Sequence, residues 1–237
     1  MEYSVIIPAY NEAAWLAKSL PALAAAMATS DAAGEVIVVD NNSADRTAEV
    51  AREHGARVVF EPQNQISRAR NTGARAASGH YLVFLDADTT MSAELLRCVI
   101  THLSGGGCCG GGALVCFDAA LPKYARWMLR LWNWLAVRRR LAAGCFIFCL
   151  RDGHEGIGGF NERVFASEEI WFSQRLRKWG RQRGLEFTII PEPPIVTSAR
   201  KMQDHPLRNF LALCFMLVCP VAVFSRRLSY LWYYRKG

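Results

Sequence analysis

The chain has 237 residues, half of them apolar, which suits a folded α/β-sized domain and excludes a disordered or collagen-like protein. Its net charge of +7 is uneven: residues 1–120 carry 8 Lys/Arg against 13 Asp/Glu, and residues 121–237 carry 20 against 8. The acidic half suits a cation and the basic half suits phosphates or an anionic membrane surface; no recognised motif accompanies the charge, so nucleic acid is not expected as a partner.

In chain order, strands are predicted at Tyr3–Ile7, Val36–Val39, Arg57–Phe60, Tyr81–Leu85 and Ala113–Phe117. Between them lie helical patterns at Glu12–Ala28, Asp45–His54, Ser67–Ala77 and Ser92–Leu103, with Ser43 and Asp45 as starts for the second helix. Apolar strands separated by helices of this length imply βα units and a largely parallel sheet. After residue 120 the alternation loosens into a helix over 123–139, a strand at Cys145–Leu150, the Gly-rich Gly153–Phe160, a helix at Glu168–Trp179 and a short strand at Glu186–Ile190. Pro191, Pro193 and Pro194 are expected to end regular structure there. The run Gly105–Gly112 formally contains G-x-G-x-x-G, but it does not follow a strand and open a helix; it reads as a flexible turn bringing backbone close to a ligand or neighbour.

The chain opens directly on a strand-like segment, and its eight cysteines are scattered without C-x-x-C pairs, so zinc is not expected, buried free thiols are, and a reducing cytoplasm fits. His154-Glu155 lacks the second histidine of H-E-x-x-H. The longest apolar run, Phe210–Phe224, has 15 residues, short of the ~20 that cross a bilayer, and is interrupted by Pro220. Arg208 precedes it and Arg226-Arg227 follow it, a pattern that suits a segment lying at a membrane interface. Tyr124–Arg140, with Trp127, Leu131, Trp134 and Leu135 at helical spacing, is a second such candidate. Ordinary core or a dimer face accounts for both segments equally well.

The chemistry gathers at strand ends. Asp86-Ala-Asp88 closes the run Tyr81–Leu85, and two like charges at the end of a buried strand must be desolvated against mutual repulsion. A hard divalent cation carrying substrate phosphates explains both carboxylates, whereas capping of the helix near Met91 explains one. Pro8-Ala-Tyr-Asn-Glu12, Asp40-Asn-Asn-Ser43 and Arg68-Ala-Arg-Asn71 fall at the same ligand edge. Singly, each has a plain reading: a turn at Pro8 and Asn11, a cap at Asp40, a surface ion pair at Arg70. Jointly they compose what a nucleotide diphosphate needs, namely acceptors for base and ribose, a cation site and a nearby cationic side chain.

Val5-Ile-Ile-Pro-Ala-Tyr-Asn-Glu12, Val38-Val-Asp-Asn-Asn-Ser43, Ala69-Arg-Asn-Thr-Gly73 and Leu85-Asp-Ala-Asp88 resemble, in order and spacing, the signatures of family 2 glycosyltransferases. The likeness continues more weakly through Gly158–Glu162 and Ser167-Glu-Glu169. The resemblance implies an α/β GT-A-type nucleotide-binding fold, a mostly parallel central sheet flanked by helices, with a C-terminal apolar helical appendage. On this reading residues 1–200 form the transferase domain, 1–118 its nucleotide-sugar half and 119–200 its acceptor half, and 201–237 the appendage.

It also implies roles. Pro8, Ala9, Tyr10 and Glu12 line the nucleotide pocket, Asp40 binds the base, Arg70 lies against the nucleotide, Asp86 meets ribose and metal shell, and Asp88 is the ligand of Mg2+ or Mn2+. The family's acidic doublet, here Glu168-Glu169, gives Glu169 the part of general base, with Glu168 its rival. The implied activity is metal-dependent, inverting transfer of a single sugar from a nucleotide-sugar donor (a UDP-sugar by family habit) to a hydroxyl acceptor, lipid-linked if the protein sits peripherally on the cytoplasmic face of a membrane. The competing readings are a nucleotidyltransferase and a non-catalytic nucleotide-binding or membrane-scaffold protein. Gln174–Trp179 resembles the Q-x-x-R-W signature of processive synthases, but Lys178 breaks its spacing. Arg200, Lys201 and His205 read first as a solvated basic loop; the alternatives are that His205 completes a metal shell or that the three cover the diphosphate.

Overall fold

The computed structural model describes residues 1–200. The expected elements are present in the first half: β1 (Tyr3–Ala9), α1 (Ala13–Met27), β2 (Gly34–Asp40), α2 (Thr47–Glu53), β3 (Arg57–Phe60), α3 (Ile66–Ala76) and β4 (Tyr81–Leu85). They are followed by β5 (Thr89–Thr90), α4 (Ala93–Ser104), β6 (Cys108–Phe117), α5 (Lys123–Arg139), β7 (Phe146–Leu150), α6 (Arg151–Gly156), α7 (Glu168–Arg181) and β8 (Glu186–Thr197). One eight-stranded sheet runs in the order β3-β2-β1-β4-β7-β6-β8-β5.

Parallel pairing holds across β3-β2-β1-β4, as the βα alternation requires. Beyond β4 the sheet turns mixed, because β7 lies antiparallel to both β4 and β6 while β8 is parallel to β6 and antiparallel to the two-residue β5. Strand alternation sorts side chains into two cores: Val5 and Ile7 face the layer of α1 and α4, and Ile6 faces the layer of α3 and α7. Both faces are covered, which is why these strands read as unbroken apolar runs.

Two sequence expectations are corrected here. The glycine run is a turn only in its first half: Gly105–Gly107 join α4 to β6, whereas Gly110–Gly112 lie inside β6. Close approach to a neighbour is nonetheless the reason for them: a Cβ on Gly111 would stand 1.8 Å from the Thr188 carbonyl oxygen, and one on Gly110 2.5 Å from that of Phe148. Nor do the prolines end regular structure, because β8 continues through Pro191, Pro193 and Pro194 to Thr197, with a cis Glu192–Pro193 bond. The register shift between Ala113 and Val115 lets β6 stay paired around the residues that lack an N–H.

Candidate active site

The edge of the sheet beyond β1, β2 and β4 is built by side chains that tie neighbouring loops together. Asn11, at φ 52°, accepts from the Ala44 N–H through its side chain while its own N–H donates to Ser43 Oγ. The Glu12 N–H donates to Thr47 Oγ1, and Asp40 Oδ1 accepts from the Ser43 N–H. Asp40 therefore closes a turn ahead of α2, and Asp45 Oδ1 accepts from the Thr47 N–H at that helix's first residue. Pro8 and Tyr10 are half-buried, while Ala9, Glu12 and Asp40 are buried.

Asp86 and Asp88 flank Ala87, whose methyl group is buried in the core and whose carbonyl accepts from Ser19 Oγ of α1. Neither aspartate caps the following helix, because Ser92 does so, accepting from the Leu95 N–H. The two carboxylates enter different ion-pair clusters. Asp88 Oδ2 lies 3.0 Å from Arg200 Nη2, which is also 2.7 Å from Glu12 Oε1, and the guanidinium stacks over Trp15. Asp86 Oδ1 lies 3.1 Å from Arg70 Nη2, whose other terminal nitrogen is 2.7 Å from Glu168 Oε1.

Arg70 also donates to the Gly144 carbonyl at 2.6 Å and packs over Phe160. Only 1% of it is exposed, and its guanidinium is held by protein groups on several sides. Burial works against its charge, but Glu168 and Asp86 outweigh burial and hold it firmly protonated.

Ser167, at φ 59°, turns the chain into α7, so the acidic doublet occupies that helix's first turn, where the helix dipole favours negative charge. The tertiary structure separates two residues that the sequence left as rivals. Glu168 is buried against Arg70. Glu169 is half-buried on the Gly144 side, where a Cβ on Gly144 would lie 3.5 Å from its carboxyl carbon. Burial, then the neighbouring Glu168 charge, raise the pKa of Glu169 to about 8, against the opposing pull of its backbone hydrogen bond and Arg70.

Asn71, quoted above only as part of a motif, and Gln65, which the sequence reading did not single out, hold this arrangement. Asn71 Nδ2 donates to the Phe160 carbonyl and to Glu162 Oε1, and its Oδ1 accepts from the Phe160 N–H. Gln65 Nε2 donates to the Glu162 and Val164 carbonyls. Together they pin the Gly-rich segment, where Gly159 at φ 71° lies so near Asn71 that a Cβ would be 2.5 Å from its Oδ1. Beneath them Phe84, Phe160, Phe172 and His154 form an aromatic cluster, and burial lowers the His154 pKa to about 4. Gln174–Trp179 lies within α7, and Trp179 packs against α6, where a Cβ on Gly156 would meet its Nε1 at 2.4 Å. Within it Leu176 is buried and Trp179 half-buried, while Gln174, Arg175 and Lys178 are exposed. His205 and the segment 210–224 lie outside the described residues.

The residues present suit a hard divalent ion. Asp86 and Asp88 offer oxygen alone, and guanidinium groups already stand against both carboxylates as cationic partners. Among the described residues no group of three or more His, Cys, Asp or Glu is placed to hold a metal.

A fold with a half-parallel sheet, an acidic pair at the end of β4 and a second acidic pair opening α7 is that of the GT-A transferases. Residues 4–155 match the model of glycosyl transferase family 2, and the chain belongs to that family. Over 183 residues it is 31% identical to the glycosyltransferase AglE of Haloferax volcanii, an alignment covering 73% of this chain and 60% of that protein. Over 121 residues it is 36% identical to the validoxylamine A glucosyltransferase of Streptomyces hygroscopicus, covering 46% of this chain and 28% of that one. The chain thus spans less than two thirds of the length of each of these relatives.

Among solved structures, the mannosyltransferase PcManGT from Pyrobaculum calidifontis, in complex with GDP-Man and Mn2+, superposes with a TM-score of 0.68 at 21% identity, covering 89% of this chain and 61% of that one. Glucosyl-3-phosphoglycerate synthase from Mycobacterium tuberculosis, in complex with Mn2+, UDP and glucosyl-3-phosphoglycerate, does so at 0.62 and 19% identity, covering 94% and 79%.

Proposed function

We propose that this chain is a metal-dependent, inverting glycosyltransferase that moves one sugar from a nucleotide-diphosphate donor to an acceptor hydroxyl, with Glu169 as general base. The observation that carries the reading is the division of labour in the acidic doublet. Arg70 takes up Glu168 and leaves Glu169, with a pKa of about 8, beside the loop at Gly144. A carboxylate with so high a pKa is a stronger base than an ordinary one, which favours proton removal from an attacking hydroxyl.

Asp88 and Asp86 are the residues that would hold Mg2+ or Mn2+, whose contribution when bound is to neutralise the charge that develops on the departing diphosphate. Pro8, Ala9, Tyr10, Glu12 and Asp40 line the donor side, where Ala9, Glu12 and Asp40 are buried and their loops are cross-tied. Arg70 acts as a positioning residue: by bridging Asp86, Glu168 and the Gly144 carbonyl it fixes the donor-side carboxylate relative to the base. Mn2+ with GDP-Man in one structural neighbour, and with UDP in another, supports donor class and cofactor while leaving the nucleobase open.

The test is release of nucleoside diphosphate from a panel of UDP- and GDP-sugars with Mn2+, Mg2+ or EDTA. Asp88→Ala is expected to stay folded and lose roughly a hundredfold or more of the rate. Full activity of that variant, or indifference to EDTA, overturns the reading.

A further inference from the structure

We infer that the outward face of α5 is a docking surface for an anionic lipid bilayer. The inner side of α5 is fixed. Ala125 and Ala136 are buried, Leu129 and Trp132 pack onto the core, and Asn133 clamps the helix to β6 by donating to the Val115 carbonyl and accepting from its N–H. The opposite side presents what a soluble helix normally hides: Trp127 is 64% exposed and Trp134 60%, with Tyr124, Leu131 and Val137 beside them. At 100° per residue Tyr124, Trp127, Leu131 and Trp134 fall on one stripe. Packing among the described residues therefore does not account for them.

Charge selects the occupant. Between Asp118 and Asp152 there is no acidic residue, and α5 and its end carry Lys123, Arg126, Arg130, Arg138, Arg139 and Arg140. A second copy would set this cationic face against itself. Residues 201–237 are no better suited, having six Lys/Arg against the single Asp204. An anionic bilayer complements both features, because Trp and Tyr settle at the headgroup level while arginines reach lipid phosphates. No helix among the described residues is long and apolar enough to cross a membrane, so α5 would lie on the surface. Its C-terminal end leads within a few residues to Ala142, whose N–H donates to Ser173 of α7, and to Gly144 beside Glu169. Docking would therefore bring the bilayer close to the acceptor side of the cleft, although the inference about α5 does not depend on the reaction assigned above.

Flotation of the full chain with phosphatidylglycerol/phosphatidylcholine vesicles, compared with phosphatidylcholine alone, tests it. Binding to the anionic vesicles is expected, weakened by salt. Trp127→Ser/Trp134→Ser is expected to reduce partitioning at least roughly tenfold, and Arg126→Gln and Arg130→Gln about fivefold each, with the melting temperature of the vesicle-free protein unchanged. Absence of flotation overturns the inference, as does a tryptophan variant that floats like the parent. A lower melting temperature for that variant without vesicles would mean that residues 201–237 cover the face. A dimer that the variant abolishes would assign the face to a second copy. Either result also overturns the proposal.

Discussion

Glu168 and Glu169 are adjacent in sequence and alike in chemistry, yet their surroundings give them opposite tasks. Glu168→Gln removes one of two carboxylates facing a buried guanidinium, so the expected loss is in stability, about 3 kcal/mol, read by denaturant unfolding. Glu169→Gln removes a carboxyl group that the folded protein holds protonated at pH 7 while the unfolded chain ionises it, so stability is expected to hold or rise while transfer falls roughly 10²–10⁴-fold with donor binding retained. A base with a pKa of about 8 must lose its proton before it can act, so kcat/KM is expected to fall as pH drops below that value. If Glu168→Gln silences transfer and Glu169→Gln does not, the assignment is reversed. The doublet itself was legible in the sequence through the resemblance to family 2 glycosyltransferases. Which member meets Arg70, 98 residues away in the chain, was not.

At the scale of elements, two loop-and-strand features carry the cleft without touching its chemistry. Asn71 on α3 makes three hydrogen bonds to the segment ahead of α7, and Asn71→Ala is expected to leave the Phe160 backbone groups unsatisfied. The cost is about 2 kcal/mol, accompanied by a loss of transfer, measured by thermal unfolding and initial rates on the same sample. Gly111 in β6 gives no room for a side chain, because the atom it would meet is backbone in β8. Gly111→Val is therefore expected to cost 3 kcal/mol or more and to lower soluble yield. The whole glycine run looked like a turn because glycine is the usual turn residue; only Gly105–Gly107 form one, and Gly110–Gly112 serve three strands in close contact, a demand set by residues 148 and 188. The prolines of β8 misled for a related reason, since a strand tolerates them where the register shifts.

Across the whole molecule, acid stability is tied to the aromatic cluster that joins β4, α6 and α7. His154 is buried there and its pKa is lowered to about 4, mainly by burial, with Arg151 and Arg75 adding to it. The unfolded chain binds a proton on this histidine near pH 6.5 and the folded one does not until about pH 4. The unfolded state thus holds more protons in that window, and stability is expected to decline by about 3 kcal/mol as pH falls from 6.5 to 4. Unfolding free energies measured across that range, with His154→Phe as control, check it; a variant that keeps the same slope would place the effect elsewhere.

The sequence by itself determined the α/β class, the positions of the first four strands along the chain, the family and the strand-end positions of Asp40, Asp86 and Asp88. All of these follow from local periodicity or from motifs contained within a few residues. Only the tertiary structure decided that Arg70 and Arg200 are counter-ions of the site carboxylates, that Asn71 ties down the segment before α7, and that the tryptophans of α5 point outward. Those facts depend on partners brought together from distant parts of the chain, and pairing across such separations leaves no period and no motif to read.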